Sequence, residues 1–157
     1  MSELYLPLKW LHVLSATVLF GTGLGTAFYM WSAHRTGDPR TIAAVGRMVV
    51  RADWIFTGTS GVLQPATGAA LIWILGLPWD MPWLLVAYGL YALAFACWAP
   101  VVRLQIRAQR LAAAAAASGT PLPTAYHVTM RYWFILGWPA FLALLCVFWL
   151  MLAKPDL

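Results

Sequence analysis

The chain has 157 residues, the length of one ordinary domain, but 62% of them are hydrophobic and only 10% are charged, against about 25% charged in soluble proteins. So few charges cannot solvate a globule of this size, which excludes a cytosolic enzyme and a disordered tail and requires the apolar surface to face lipid. The formal net charge of +5 is not gathered into blocks that could grip nucleic acid, so we expect no nucleic-acid partner. In a membrane chain such an excess sets the topology and contacts anionic headgroups.

Four apolar stretches are long enough to cross about 30 Å of hydrocarbon. They predict spans at residues 7–31, 53–77, 83–102 and 128–153, with connections at residues 32–52 and 103–127. The predicted fold is an all-α integral membrane four-helix bundle that forms a single transmembrane domain over residues 1–157. We expect the first span to be retained, because it has no basic segment before it and no small-residue cleavage site.

The second helix is predicted to begin at Asp38-Pro39, an N-cap acid followed by proline at the first helical position. Its first turns carry Arg40, Arg47 and Arg51, so they should project from the bilayer. Further along, Gln64-Pro65 should kink the helix and free the carbonyl of Gly61, which Gln64 could then satisfy.

The third helix is predicted to continue beyond its span, because arginines recur at i, i+4 and i+7 (Arg103, Arg107 and Arg110) before an alanine run at residues 112–117. Two readings stay open for the run, a helix that lies on the headgroups or simple low complexity. Ser118-Gly119 ends it. Lys154-Pro155 ends the last span.

The arginines and lysines set the expected orientation. Every arginine falls in or beside the two connections, and both lysines, Lys9 and Lys154, fall at the other side. By the positive-inside rule the connections are cytoplasmic and both termini lie outside, with helices 2 and 3 extended into the cytoplasm. We expect a multi-pass protein of the bacterial cytoplasmic (inner) membrane.

Polar side chains within spans are costly and are candidates for function. His12 lies in the first span with Ser15, on a stripe of small and polar residues. One interpretation is a neutral imidazole bonded to a neighbouring group. The other is an axial ligand for haem b between the helices, with Ser15, Gln64 and Arg131 near the cofactor and His12 on the metal.

A polar face also runs along the second helix. Asp53, Thr57, Ser60 and Gln64 recur at helical spacing, and Thr67 continues them. This face should point into the bundle, as a cavity or cofactor pocket or as a hydrogen-bonded helix junction. Asp53 and Arg131 both lie at the inner ends of their spans, where an ion pair would spare each the cost of lone burial. Alternatively, Arg131 holds the carbonyl of a quinone or the carboxylate of a porphyrin.

Aromatic and histidine residues also have alternative roles. Five tryptophans near span ends fit aromatic belts, namely Trp10, Trp31, Trp79, Trp83 and Trp98. Trp133, Trp138 and Trp149 could instead line an apolar pocket for a flat ligand. His34 and His127 are expected at the inner ends of spans one and four, where they could meet.

Several segments resemble an uncharacterised family of bacterial four-span integral membrane proteins, domain of unknown function 2269: residues 8–14, 20–28, 52–68 and 136–141. The chain is also distantly similar to the HemJ-type protoporphyrinogen oxidases and related copper-resistance membrane proteins, through Lys9-Trp10-Leu11-His12 and a second helix with proline and glycine. The HemJ resemblance implies haem binding by His12. HemJ-type proteins have basic residues in the third helix, whereas residues 83–102 here have none.

Three functional hypotheses follow. The first is a haem b-binding protein of the electron-transfer or quinone-linked oxidoreductase type, with a quinone or porphyrin as ligand. The second is a small transporter component with a polar path along the second helix, which would require a homodimer because four spans are few. The third is a non-catalytic assembly or anchor subunit of a larger membrane complex. The lipid bilayer is a partner in all three.

Overall fold

The computed structural model describes residues 2–155. Of these residues 90% are helical, and no strand occurs among them. The elements are α1 (Ser2–Thr36), α2 (Pro39–Ala52), a π-helical segment (Asp53–Gly58), α3 (Thr59–Leu75), α4 (Pro82–Ser118) and α5 (Thr124–Ala153). The prediction of an all-α protein is confirmed.

Among the described residues, three helices are long and apolar enough to cross a membrane, namely Glu3–Thr36 of α1, α4 and α5. The predicted span at residues 53–77 corresponds to the π segment followed by α3. With 17 residues, α3 alone is only about 26 Å long at 1.5 Å per residue. Four spans and external termini therefore stay predictions.

The predicted start of α2 is confirmed in detail. The Asp38 carboxylate accepts hydrogen bonds from Arg40 N at 3.2 Å and from Thr41 N at 2.9 Å. The Thr41 hydroxyl also donates to it at 2.6 Å. These donors hold the pKa of Asp38 below its usual value, the Thr41 hydroxyl most strongly. From Pro39 the backbone then stays helical to Leu75, where Gly76 in the left-handed conformation (φ 62°) ends α3.

The predicted extension of α4 is confirmed. One side of its alanine run is buried against the protein, so headgroups could contact only the other side. Ala108, Ala112 and Ala115 are buried, because α4 packs against α2 over this region. The approach is close at Gly46 of α2, where an added Cβ would lie 3.1 Å from Gln109 Cβ. Small side chains on both helices permit this contact.

The helices associate mainly as two groups, α1 with α3 and α4 with α5, and α2 packs on both α1 and α4. The most extensive contact joins α4 to α5, and α3 packs more on α1 than on α4. One apolar cluster, which includes Ile42, Ala108 and Tyr126, joins the helices at the arginine-rich end. A smaller cluster around Trp83 and Leu84 lies at the other end. Between the clusters α1 and α5 contact each other through aromatic side chains, with Phe20 stacked on Phe141 and edge-on to Phe148. Beside these contacts the groups leave a space that the site occupies.

Candidate functional site: an apolar cavity beside two polar networks

Four side chains from α1 and α3 form one hydrogen-bonded group, which we call the His12 network: His12, Ser15, Gln64 and Thr67. His12 Nδ1 lies 2.8 Å from Thr67 Oγ1, and His12 Nε2 lies 3.2 Å from Gln64 Nε2. Ser15 Oγ donates to Gln64 Oε1. Gly68 leaves room for the ring, since a Cβ there would lie 3.3 Å from His12 Cε1.

The proton arrangement of the His12 network follows from its donors. The Gln64 amide nitrogen can only donate, so His12 Nε2 accepts and is unprotonated. His12 Nδ1 then carries the proton and donates to Thr67, whose own hydroxyl donates to the Leu63 carbonyl at 2.7 Å. The imidazole is therefore neutral, with both nitrogens engaged by protein groups. An iron bound at His12 Nε2 would take the place of the Gln64 amide, so haem ligation by His12 stays a prediction.

A second group surrounds the π segment, and we call it the Asp53 network: Thr26, Asp53, Thr57 and Gln105. Asp53 is 3% exposed. Its Oδ1 accepts from Thr57 Oγ1 at 3.0 Å and from Thr26 Oγ1 at 3.3 Å. Its Oδ2 accepts from Gln105 Nε2 at 2.8 Å. Three neutral donors thus converge on the two carboxyl oxygens of Asp53.

The structure does not join Arg131 to Asp53 as the expected ion pair. Arg131 is exposed on α5, and the hydrogen bonds to Asp53 come from the hydroxyl and amide donors of its network. A mostly buried Gln105 is the better partner here, because an amide satisfies the carboxylate without a second charge to desolvate. Arg131 also lies outside the residues that line the cavity described next.

The space between the helix groups is a cavity of about 720 Å³, within the range of small-molecule sites. It is lined by α1, the π segment, α3, α4 and α5, and most of its wall is aliphatic, aromatic or glycine. Phe28, Phe95 and Trp138 on its wall are 56%, 55% and 62% exposed. The cavity therefore opens at the apolar surface of the helices.

Three buried polar atoms on residues that line the cavity have no hydrogen-bond partner within residues 2–155: Trp98 Nε1, Trp133 Nε1 and Gln105 Oε1. Gln105 is 2% exposed and Trp133 is 6% exposed. Buried polar groups are nearly always bonded, and an unbonded one costs about 1–3 kcal/mol. Two donors and one acceptor without partners therefore lie on residues that line the cavity.

The expected polar face of the second helix is confirmed as an inward face. Asp53, Thr57, Ser60 and Thr67 are buried, and Gln64 is half-buried. The face nevertheless divides between two places, since Gln64 and Thr67 bond to α1 while Asp53 and Thr57 border the cavity. The π segment carries Asp53 and Thr57 beside the cavity, and such segments often occur at functional sites.

The carbonyl freed by Pro65 has the partner that sequence reasoning missed. Tyr91 Oη on α4 donates to Gly61 O at 2.6 Å, whereas Gln64, the residue we expected there, bonds to α1. Gln105 was also missed, because it lies among the arginines of the predicted extension. Its signal was its position on the helix face opposite Arg103 and Arg107, both of which are exposed.

The tryptophans divide differently from the prediction. Trp133 and Trp138 line the cavity, which was one of the alternatives for them, and Trp31 and Trp98, both expected in the aromatic belts, line it too. Trp83 is 6% exposed and belongs to the smaller apolar cluster. Trp149 is 68% exposed and lies outside the cavity.

The two histidines expected at the inner ends of their helices do meet. The rings of His34 and His127 lie 6.2 Å apart between centroids, and His34 Nδ1 is 3.1 Å from Tyr126 Oη. Within the described residues, no three His, Cys, Asp or Glu side chains are grouped as a metal site would require.

A family model described as "Predicted integral membrane protein (DUF2269)" matches residues 6–155. The chain belongs to this family. The match supports the prediction of a membrane protein with transmembrane helices, and the lipid bilayer is therefore a partner of the chain. No curated protein and no solved structure is significantly similar to it. The expected likeness to HemJ-type proteins is therefore not shown.

Proposed function

We propose that this protein binds a quinone-type ligand inside the membrane, in the cavity between the two helix groups. The observation that carries the proposal is the set of unpaired polar atoms on Trp98, Trp133 and Gln105, three residues that line a mostly apolar space. A quinone has a flat ring that suits aromatic walls and two oxygens that can accept the indole N–H bonds. Its apolar tail would leave through the open side among the lipids.

The chemistry of the wall favours this ligand over an iron porphyrin. The residues that line the cavity include no histidine, methionine or cysteine. Tyr91 is the one phenol among them, and its hydroxyl is committed to Gly61 O. A quinone is held through hydrogen bonds to its oxygens. It therefore does not need the histidine, methionine, cysteine or tyrosine side chains that bind haem iron.

The proposal also includes a membrane arrangement. The π segment and α3 together form the fourth span, with the arginine-rich end in the cytoplasm of a bacterial cell and both termini outside. Because the Asp53 network lies toward that end of the helices, the polar part of the cavity would face the cytoplasmic leaflet. Lysine and arginine accessibility to a membrane-impermeant reagent on intact and opened vesicles would test the orientation.

The binding proposal is tested by calorimetric titration of the purified protein in nanodiscs with decylubiquinone. We expect saturable binding to a single class of site. Absence of saturable binding to the folded protein would contradict the proposal. Empty nanodiscs of the same lipid serve as the control, because quinones also partition into bilayers.

Haem b ligated by His12 stays a second prediction. It requires that Gln64 leave His12 Nε2, so that this nitrogen can bind iron. A reduced-minus-oxidised visible spectrum of the protein from its native membrane tests it. A b-type signal lost in His12→Ala would support haem, and a flat spectrum would contradict it. The transporter and the assembly-subunit hypotheses also stay predictions.

A further inference from the structure

We infer that the cavity prefers the reduced quinol to the oxidised quinone, and that Gln105 is the residue that makes this distinction. The inference rests on the proposed quinone-type function. It concerns which redox form of that ligand the protein stabilises. Gln105 is the candidate because its side chain is buried and borders the cavity. Its amide nitrogen is hydrogen-bonded, whereas its amide oxygen has no partner among the described residues.

The orientation of the Gln105 amide is set by Asp53. The nitrogen of the amide donates to Asp53 Oδ2 at 2.8 Å, and the oxygen has no partner among the described residues. A reversed amide would remove one of the three hydrogen bonds that Asp53 accepts and would place two acceptor oxygens against each other, an unfavourable contact. Thr26 and Thr57 hold that carboxylate in place. The hydrogen bond to Asp53 therefore leaves the carbonyl oxygen of Gln105, and not its N–H group, without a partner beside the cavity.

A carbonyl oxygen discriminates between the two forms of the ligand. A quinol hydroxyl can donate to Gln105 Oε1, whereas a quinone has no donor and would leave that oxygen buried and unpaired. The indole N–H groups of Trp98 and Trp133 do not discriminate, because both forms offer oxygens that accept. The cost of the unpaired acceptor corresponds to about a 5- to 140-fold weaker binding of the quinone.

The preference has a redox consequence. A site that binds the reduced form more tightly raises the reduction potential of the bound couple by thermodynamic linkage. For a two-electron couple, each tenfold preference corresponds to about 30 mV. The bound quinone would therefore be a stronger oxidant than the same quinone free in the bilayer.

The experiment measures dissociation constants for decylubiquinone and pre-reduced decylubiquinol under anaerobic conditions, in nanodiscs. We expect the wild type to bind the quinol at least about 5-fold more tightly. Gln105→Met removes the acceptor at similar size and should bring the two constants together. Gln109→Met is the matched control, since Gln109 lies on the same helix but outside the cavity lining, and it should leave the ratio unchanged.

The outcomes separate the two proposals. If neither form binds to wild type, the proposed function fails. If both forms bind equally, or if Gln105→Met keeps the wild-type ratio, the inference about Gln105 is overturned. If Gln105→Met does not fold, binding of the dimethyl ether of decylubiquinol to the wild-type protein tests the inference instead. This ether keeps the acceptors but has no O–H, so it should bind no better than the quinone, and binding as tight as the quinol would overturn the inference.

Discussion

Replacement of Trp133 by phenylalanine removes one unpaired indole donor from the cavity. The N–H has no partner in the described protein, so its loss breaks no hydrogen bond in the ligand-free state. In the complex it removes a bond to a ligand oxygen, which contributes about 0.5–1.5 kcal/mol net. We therefore expect the affinity for decylubiquinone to fall by about 2- to 12-fold.

The change also shrinks a buried side chain, and that packing effect needs a matched control. Trp83 and Trp133 are each 6% exposed, but Trp83 lies in the apolar cluster away from the cavity. Trp83→Phe should therefore lower the thermal stability through lost packing and leave the affinity unchanged. Calorimetric titration and thermal unfolding of both variants give the comparison. An unchanged affinity in Trp133→Phe, or an equal loss in both variants, would refute the role of the indole N–H.

The remaining predictions concern the framework of the site. Tyr91→Phe leaves Gly61 O without its donor and should destabilise the protein by about 1–3 kcal/mol in denaturation experiments, and an unchanged stability would contradict the contact. Gly68→Ala places a Cβ 3.3 Å from His12 Cε1, so the imidazole NMR shifts should move, whereas fixed shifts would show that the ring is not packed there. The Asp38 cap should act above the unfolded-state pKa and be lost as the pH falls through its lowered folded pKa. Acid loss of helical circular dichroism that Asp38→Asn does not alter would argue against it.

Much of the fold could be predicted from the sequence because the signals are local. Asp38-Pro39 begins α2 where the capping chemistry predicts, and the apolar stretches at residues 7–31, 83–102 and 128–153 lie in long helices. The inward face of α3 was visible in its helical spacing. The π segment could not be predicted. A π-helix has an added residue per turn, but no residue type or spacing in the sequence indicates it.

The site was less predictable, since it depends on how helices distant in sequence are placed. The sequence showed that His12 and Asp53 are costly inside a membrane, but gave no direct sign that Gln64 occupies His12 Nε2 or that Gln105 replaces Arg131 beside Asp53. Hydrogen-bond partners across helices depend on how each helix is rotated about its axis and how deep it lies in the membrane. The periodicity of the sequence determines neither. The cavity itself arises because α3 packs on α1 and leaves α4 with α5.

The most direct test of the central claim is the quinone content of the protein purified from its native membrane in mild detergent. Organic extracts of wild type and of the Trp98→Phe/Trp133→Phe double variant are quantified by chromatography and mass spectrometry, relative to protein. Near-equimolar quinone in the wild type and strong depletion in the folded double variant are the predicted results. Wild-type protein without quinone, or the same quinone content in both proteins, would contradict the assignment of the cavity.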